Sequence, residues 1–258
     1  MYTGYKSKNL LSVGADAKTI KSLKKGMLTG VLYLAPNDIS GHNTCANATE
    51  GCKKACLYTS GYGRFNDVQK ARIRKTKWFF KERDSFMAQL VQNAESLEHK
   101  AHREKMIPAI RLNGTSDIPF EKIRVVRQGI NYRNIMRAFP GIQFYDYTKI
   151  LNRKMALAMP NYHLTYSLAE DNDAQAIEAL KQGYNLAVVM RLKRNDPKPK
   201  TWGGYPVIDG DEFDARFLDP DGDHIVALSA KADAIKDTSG FVRNPNTGFN
   251  ISMNVKVA

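Results

Sequence analysis

The chain has 258 residues, 43% hydrophobic and 25% charged, enough apolar material for one sizeable core and too much for a disordered chain. No apolar run approaches the roughly 20 residues a membrane-spanning helix needs, and Met1-Tyr-Thr-Gly-Tyr-Lys-Ser-Lys leads into no apolar signal segment. The net charge is +13 and uneven: residues 1–110 hold 19 Lys/Arg and 9 Asp/Glu, residues 111–258 hold 20 and 17. The N-terminal half therefore favours an anionic partner, whether a small molecule, a nucleotide or a nucleic acid.

In chain order the pattern alternates strand and helix. Gly30-Val-Leu-Tyr-Leu-Ala35, stopped by Pro36, predicts a buried strand. Residues 67–103 predict the main helical stretch. Asn66 and Gln69 stand in capping-box register. Phe79, Phe86, Leu90, Ala94 and Leu97 share one helical face, and Asp84-Ser85 marks a break. Ile107–Leu112 predicts the second strand. After the polar turn Asn113–Asp117, Pro119 opens a helix running towards Gly129, and a further helix covers 131–138. Ile142–Tyr147, Tyr162–Tyr166 and Asn185–Met190 predict three more strands, with a helix over 173–182 closed by Gly183. Beyond the loop from Pro197 to Pro206, short strands are expected at 206–209 and 224–229.

This alternation predicts an α/β fold in a single domain over 1–258: a partial (β/α) barrel-like parallel sheet with an irregular C-terminal β region. Parallel strands deliver their C-terminal loops to one face, so the polar clusters 41–56, 113–117, 146–149, 166–170 and 191–194 are expected there. Asn113, Ser116, Asp117, Tyr145, Asp146 and Lys149 are the candidate cofactor-binding residues at those ends. Ordinary turns and helix caps use the same residue types, so the pattern alone does not demand a ligand.

The first of these loops is the most informative. Cys45, Cys52 and Cys56 are spaced C-x6-C-x3-C in a loop spanning 40–63, with His42 three residues upstream. Three cysteines are an odd number and too few for a disulfide scaffold. Thiolates are soft, strong metal ligands. An iron–sulfur cluster spreads its irons over several ångströms and tolerates wide ligand spacing. Three cysteines on a 4Fe–4S cluster leave the fourth iron open or bound by His42. The alternative metal is zinc, held by His42 and the three cysteines, although the first cysteine gap is long for a zinc pair. The third reading is three buried free thiols.

Two charged segments complete the inventory. Arg64–Lys81 holds seven basic residues against Asp67, with Tyr62, Phe65, Trp78, Phe79 and Phe80 interleaved. That is either a nucleic-acid surface or the solvated face of an amphipathic helix. The acidic run from Asp209 to Asp223 lacks the EF-hand register and reads as a solvated turn, one that can also bring Asp209 or Asp214 to the strand ends.

Several stretches carry a resemblance: Leu11-Ser-Val-Gly-Ala-Asp-Ala-Lys-Thr, Leu32-Tyr-Leu-Ala-Pro, Ser40-Gly-His-Asn, Gly51-Cys-Lys-Lys-Ala-Cys-Leu-Tyr-Thr-Ser-Gly, Arg111-Leu-Asn-Gly-Thr-Ser-Asp and Phe144-Tyr-Asp-Tyr-Thr-Lys. Together they resemble the bacteriophage gene product 88 family over most of the chain. The resemblance implies a viral source and the cytoplasm of an infected bacterial host, and it supplies no activity. The architecture is also similar, more distantly, to radical S-adenosylmethionine enzymes, which place three cysteines in the loop after the first strand. That similarity implies Cys45, Cys52 and Cys56 as cluster ligands and S-adenosylmethionine on the open iron. The usual spacing there is C-x3-C-x2-C, and Asn113–Asp117 stands where a Gly-Gly-Glu segment would be.

Overall fold

Strands form where the chain is apolar on both faces, as parallel sheets require. The computed structural model describes residues 4–14, 17–193 and 195–250. Ala15 and Asp16 of the Leu11–Thr19 motif and Arg194 of the 191–194 loop lie outside the described residues. The chain begins β1 (Leu11–Val13), α1 (Ala17–Leu23), β2 (Met27–Leu32), α2 (Glu50–Lys54), α3 (Asn66–Lys81), α4 (Arg83–Arg103) and β3 (Ile107–Arg111). It continues with β4 (Val125–Arg127), β5 (Ile130–Tyr132), α5 (Ile135–Ala138), β6 (Gln143–Thr148), α6 (Lys154–Leu157) and β7 (Tyr162–Ser167). Last come α7 (Asp173–Lys181), β8 (Asn185–Met190), β9 (Thr201–Trp202), β10 (Tyr205–Asp209) and β11 (Ile225–Ser229).

These elements belong to two compact units. The first takes Met1–Ala48, Leu57–Leu164 and Phe213–Leu218. Its strands run in the order β1-β2-β3-β6 followed by the start of β7. β2 pairs with β3, and β3 with β6, in parallel, while β1 pairs antiparallel with β2. All six residues of β2 are buried. Phe79 of α3 and Phe86, Leu90, Ala94 and Leu97 of α4 are all buried, so the expected apolar face is real. Gly30 lets α4 approach the sheet, because a Cβ there would come within 2.6 Å of Leu97 Cδ1.

Local departures from the sequence reading have identifiable causes. The helical stretch breaks at Glu82, two residues before Asp84, where φ is −142° and ψ 67°. Asn66 does not cap α3. Phe65 is the N-cap, without a side-chain bond, and Gln69 Nε2 instead donates to the Gly63 carbonyl at 2.9 Å. The helices expected between Pro119 and residue 133 are a short 3-10 turn and the hairpin β4–β5. Gln128 and Gly129 both have positive φ, 51° and 76°, the pair of conformations a two-residue hairpin turn requires. Helix resumes only at α5, where Asn134 Oδ1 accepts the Arg137 N–H.

The second unit takes Thr49–Cys56, Thr165–Glu212 and Asp219–Ala258. Its order is the end of β7, then β8-β11-β10-β9. β7 with β8, β8 with β11 and β11 with β10 are parallel, and only β9 is antiparallel. The C-terminal β region, expected to be irregular, thus adds two regular parallel strands. The barrel-like expectation is also corrected. β1 pairs with β2 alone and β9 with β10 alone, so both are edges and the sheet is open. Both run antiparallel to their neighbours and are three and two residues long, too short to seal a barrel. No helix among the described residues is long and apolar enough to cross a membrane.

Candidate functional site

Parallel pairing sets the C-terminal ends of β3 and β6 side by side in the first unit. There Asn113, Ser116 and Asp146 share one set of hydrogen bonds, and Asp117 and Lys149 a second beside it. Asp146 accepts the Asn113 backbone N–H at 2.6 Å, Asn113 Nδ2 at 3.1 Å and the Tyr162 hydroxyl at 2.9 Å. Asn113 Oδ1 in turn accepts Ser116 Oγ and the Ile118 N–H, both at 2.8 Å. Asp117 accepts Thr148 Oγ1 and the Lys149 backbone N–H, each at 2.8 Å. Behind them Arg153, fully buried, pairs with Glu121 through Nε at 2.9 Å and donates to Tyr162 Oη at 2.9 Å.

Burial pushes the Asp146 carboxyl up to about 6, against the lowering effect of the Asn113 N–H. Burial likewise raises Asp117 and holds the Tyr162 hydroxyl well above the ordinary range for tyrosine. Asn113 and Asp146 are buried and hydrogen-bonded to one another, whereas Ser116, Asp117 and Lys149 form a partly exposed rim. The arrangement keeps a carboxyl of raised pKa beneath that rim.

Tyr145 is separated from this network because successive strand residues face opposite sides. Its hydroxyl lies 3.4 Å from Asp214 Oδ2. Asp214 is paired with Arg111 Nη1 at 3.0 Å, and the Arg111 guanidinium lies 4.7 Å from the Tyr147 ring centroid. Burial alone would pull Arg111 down, but the Asp214 charge outweighs it and the guanidinium stays charged. Sequence reasoning missed Arg111, Arg153 and Glu121, whose partners are far away along the chain. Asp214 does reach a strand end, and Asp211 pairs with Lys198 at 3.0 Å and Lys231 at 2.6 Å, so these two acids are not a solvated turn.

The three cysteines form no disulfide among the described residues and are partly exposed. In the first unit Cys45 is fixed by its neighbour. Thr44 Oγ1 donates to the Ala35 carbonyl at 2.7 Å, and the Asp117 N–H donates to the Thr44 carbonyl at 2.8 Å. Cys45 Sγ then lies 3.8 Å from the Thr115 carbonyl, beside the turn that carries Asn113 and Asp117. His42 stacks on Phe80 with centroids 4.5 Å apart and planes 6° apart. In the second unit Cys52 sits on α2 and Cys56 follows its C-cap, Ala55. The Glu170 carboxylate clamps the start of α2, accepting Thr49 Oγ1 and the Gly51 N–H, both at 2.6 Å. Gly51 is required there: a Cβ would stand 2.2 Å from Ser239 Oγ and 2.7 Å from Glu170 Oε2. Cys52 packs against Ala55, Ala169, Ala234, Phe241 and Val242. Partly exposed cysteines outside any disulfide suit iron or zinc as donors. Among the described residues no group of three or more His, Cys, Asp or Glu side chains is placed to hold a metal ion.

The basic segment divides by burial. Arg72, Trp78 and Phe79 are buried, and the Arg72 guanidinium lies 4.7 Å from the Tyr33 ring and 5.5 Å from the Tyr58 ring. Arg64, Lys70, Arg74, Lys77 and Lys81 remain exposed, as do Tyr62 and Phe65.

A family model described as gene product 88 matches residues 9–245. No curated protein and no solved structure matches, so comparison gives the similarity to radical S-adenosylmethionine enzymes no support.

Proposed function

The chain belongs to the gene product 88 family, and from that premise we propose that it is a phage-encoded iron–sulfur protein of the infected cell's cytoplasm, with Cys45, Cys52 and Cys56 as cluster ligands. The observation that carries the reading is that three partly exposed cysteines, none in a disulfide, fall within one 12-residue segment. Thiols serving only as small apolar residues are commonly fully buried, and these are not. Cluster assembly draws the thiols onto one centre, so binding is coupled to ordering of the segment, as is usual for cysteine-ligated metals. When bound, a 4Fe–4S cluster supplies one-electron chemistry or an open, Lewis-acidic iron.

The chain's own residues support that role in three ways. The Thr44–Asp117 backbone bond ties Cys45 to the strand-end turn. Glu170 fixes the helix that carries Cys52. Asp146 of β6 accepts the Asn113 N–H of the same turn, with its carboxyl pushed up by burial to about 6.

Purification without oxygen tests the reading. The protein should be brown and contain iron and acid-labile sulfide, and Cys→Ser replacement at position 45, 52 or 56 should remove most of both. His42→Ala then separates a histidine-bound fourth iron, which loses the cluster, from an open one, which keeps it. With an open iron, S-adenosylmethionine should alter the magnetic resonance spectrum of the reduced cluster. A colourless protein with stoichiometric zinc, or with no metal, overturns the proposal.

A further inference from the structure

We infer that Tyr62, Phe65 and the exposed face of α3 form a binding surface for single-stranded nucleic acid. Two independent features carry this. The first is a cation stripe. Lys70, Arg74, Lys77 and Lys81 are all exposed and lie 4, 7 and 11 residues along α3, one helical face spanning about 16 Å at ~1.5 Å per residue. Asp67 is the one acid between Arg64 and Lys81, so this segment is strongly basic, which suits a row of phosphates.

The second feature is a pair of aromatic rings left in the open at the start of the stripe. Tyr62 is 63% and Phe65 48% exposed, with ring centroids 6.3 Å apart. Neither belongs to the apolar face of the helix, which is supplied by Trp78 and Phe79. The backbone presents them: the Phe65 N–H closes a 3-10 turn on the Tyr62 carbonyl, and Gly63 between them packs against the Tyr58 carbonyl, where a Cβ would stand 2.2 Å away. Arg64 lies over the Phe65 ring at 5.2 Å, pairing a cation with a flat surface. Exposed rings next to a cation track are what unpaired bases and their backbone recognise.

Three features choose the occupant. A duplex offers phosphates to the stripe but keeps its base faces stacked, so it leaves Tyr62 and Phe65 unused. Direct reading of a duplex rests on side chains at base edges in the groove, a contact in which the faces of the two rings take no part. An acidic peptide satisfies the charge but gives the two rings no flat partner.

The test is fluorescence anisotropy with a labelled single-stranded dT oligonucleotide at several salt concentrations. Four phosphate contacts on a single strand weaken binding about 50-fold between 50 and 200 mM salt. Replacing Lys70, Arg74, Lys77 and Lys81 together by Gln should remove that share of the salt dependence. Tyr62→Ala and Phe65→Ala should each weaken binding roughly tenfold, and Phe65→Trp should preserve it. All these positions are exposed, and circular dichroism checks that the fold is kept. No binding at 50 mM salt, an unchanged salt slope in the fourfold variant, full affinity in both alanine variants, or stronger competition by duplex or poly-glutamate than by single strand would each overturn the inference.

Discussion

Asp146→Asn removes a charge from the centre of the strand-end network while keeping its shape. The wild-type carboxyl titrates at about 6 in the folded chain, against roughly 3.9 when exposed. The folded state therefore binds this proton more tightly than the unfolded one. The resulting stabilisation is fully present below pH ~4 and is lost as pH rises through ~6. Two units at ~1.4 kcal/mol each make the loss about 3 kcal/mol, an order-of-magnitude figure for a fully buried group. The Asn variant carries no such dependence. It has a separate, pH-independent cost: the donors sit on both carboxylate oxygens, and an amide replaces one of these acceptors by an NH2 group, leaving a donor unmet at about 1–2 kcal/mol. Urea unfolding of both proteins at pH 4.5 and 7.5, compared by linear extrapolation, isolates the effect. Other titrating groups cancel in the difference. The stability advantage of wild type over variant should shrink by roughly 2 kcal/mol from the lower to the higher pH, the part of the full loss that falls inside this window. A constant difference across that range would refute the account of Asp146 as a proton-holding group.

Arg111→Met should destabilise the protein by about 2–3 kcal/mol, because it removes the buried guanidinium that pairs with the partly buried Asp214. Adding Asp214→Asn should restore much of that loss, which a double-mutant cycle in urea would measure. Glu170→Gln should cost about 1–2 kcal/mol through the weakened clamp on Thr49 and Gly51. Amide exchange over Glu50–Ala55 should then speed up while β8 and β11 keep their protection.

The strand skeleton was legible because apolar runs bounded by turn residues have one interpretation. β8 falls on Asn185–Met190 as read, and β6 and β7 within one residue. From parallel strands alone it followed that Asn113 and Asp146 would meet. Residues 123–133 misled because Val125 and Ile130 fit either period, and Gln128 gives no outward sign of the positive φ that makes the hairpin. Arg72 reads as one more surface cation until its ring partners are known, and those sit 14 and 39 residues away at Tyr58 and Tyr33. Asp214 is 103 residues from Arg111, so no local pattern could pair them. Closure was beyond the sequence for a related reason. It depends on which strands end the sheet, and the edges β1 and β9 are too short to leave a pattern.

The central claim is that the cysteine segment binds an iron–sulfur cluster. Its most direct measurement is the iron and acid-labile sulfide content of the anaerobically purified protein, together with its visible spectrum. About four irons and four sulfides per chain and a broad absorbance near 400 nm, all lost in Cys52→Ser, are predicted for a 4Fe–4S site. Wild-type protein that stays colourless, or carries only zinc, after anaerobic purification and reconstitution with iron and sulfide would contradict it.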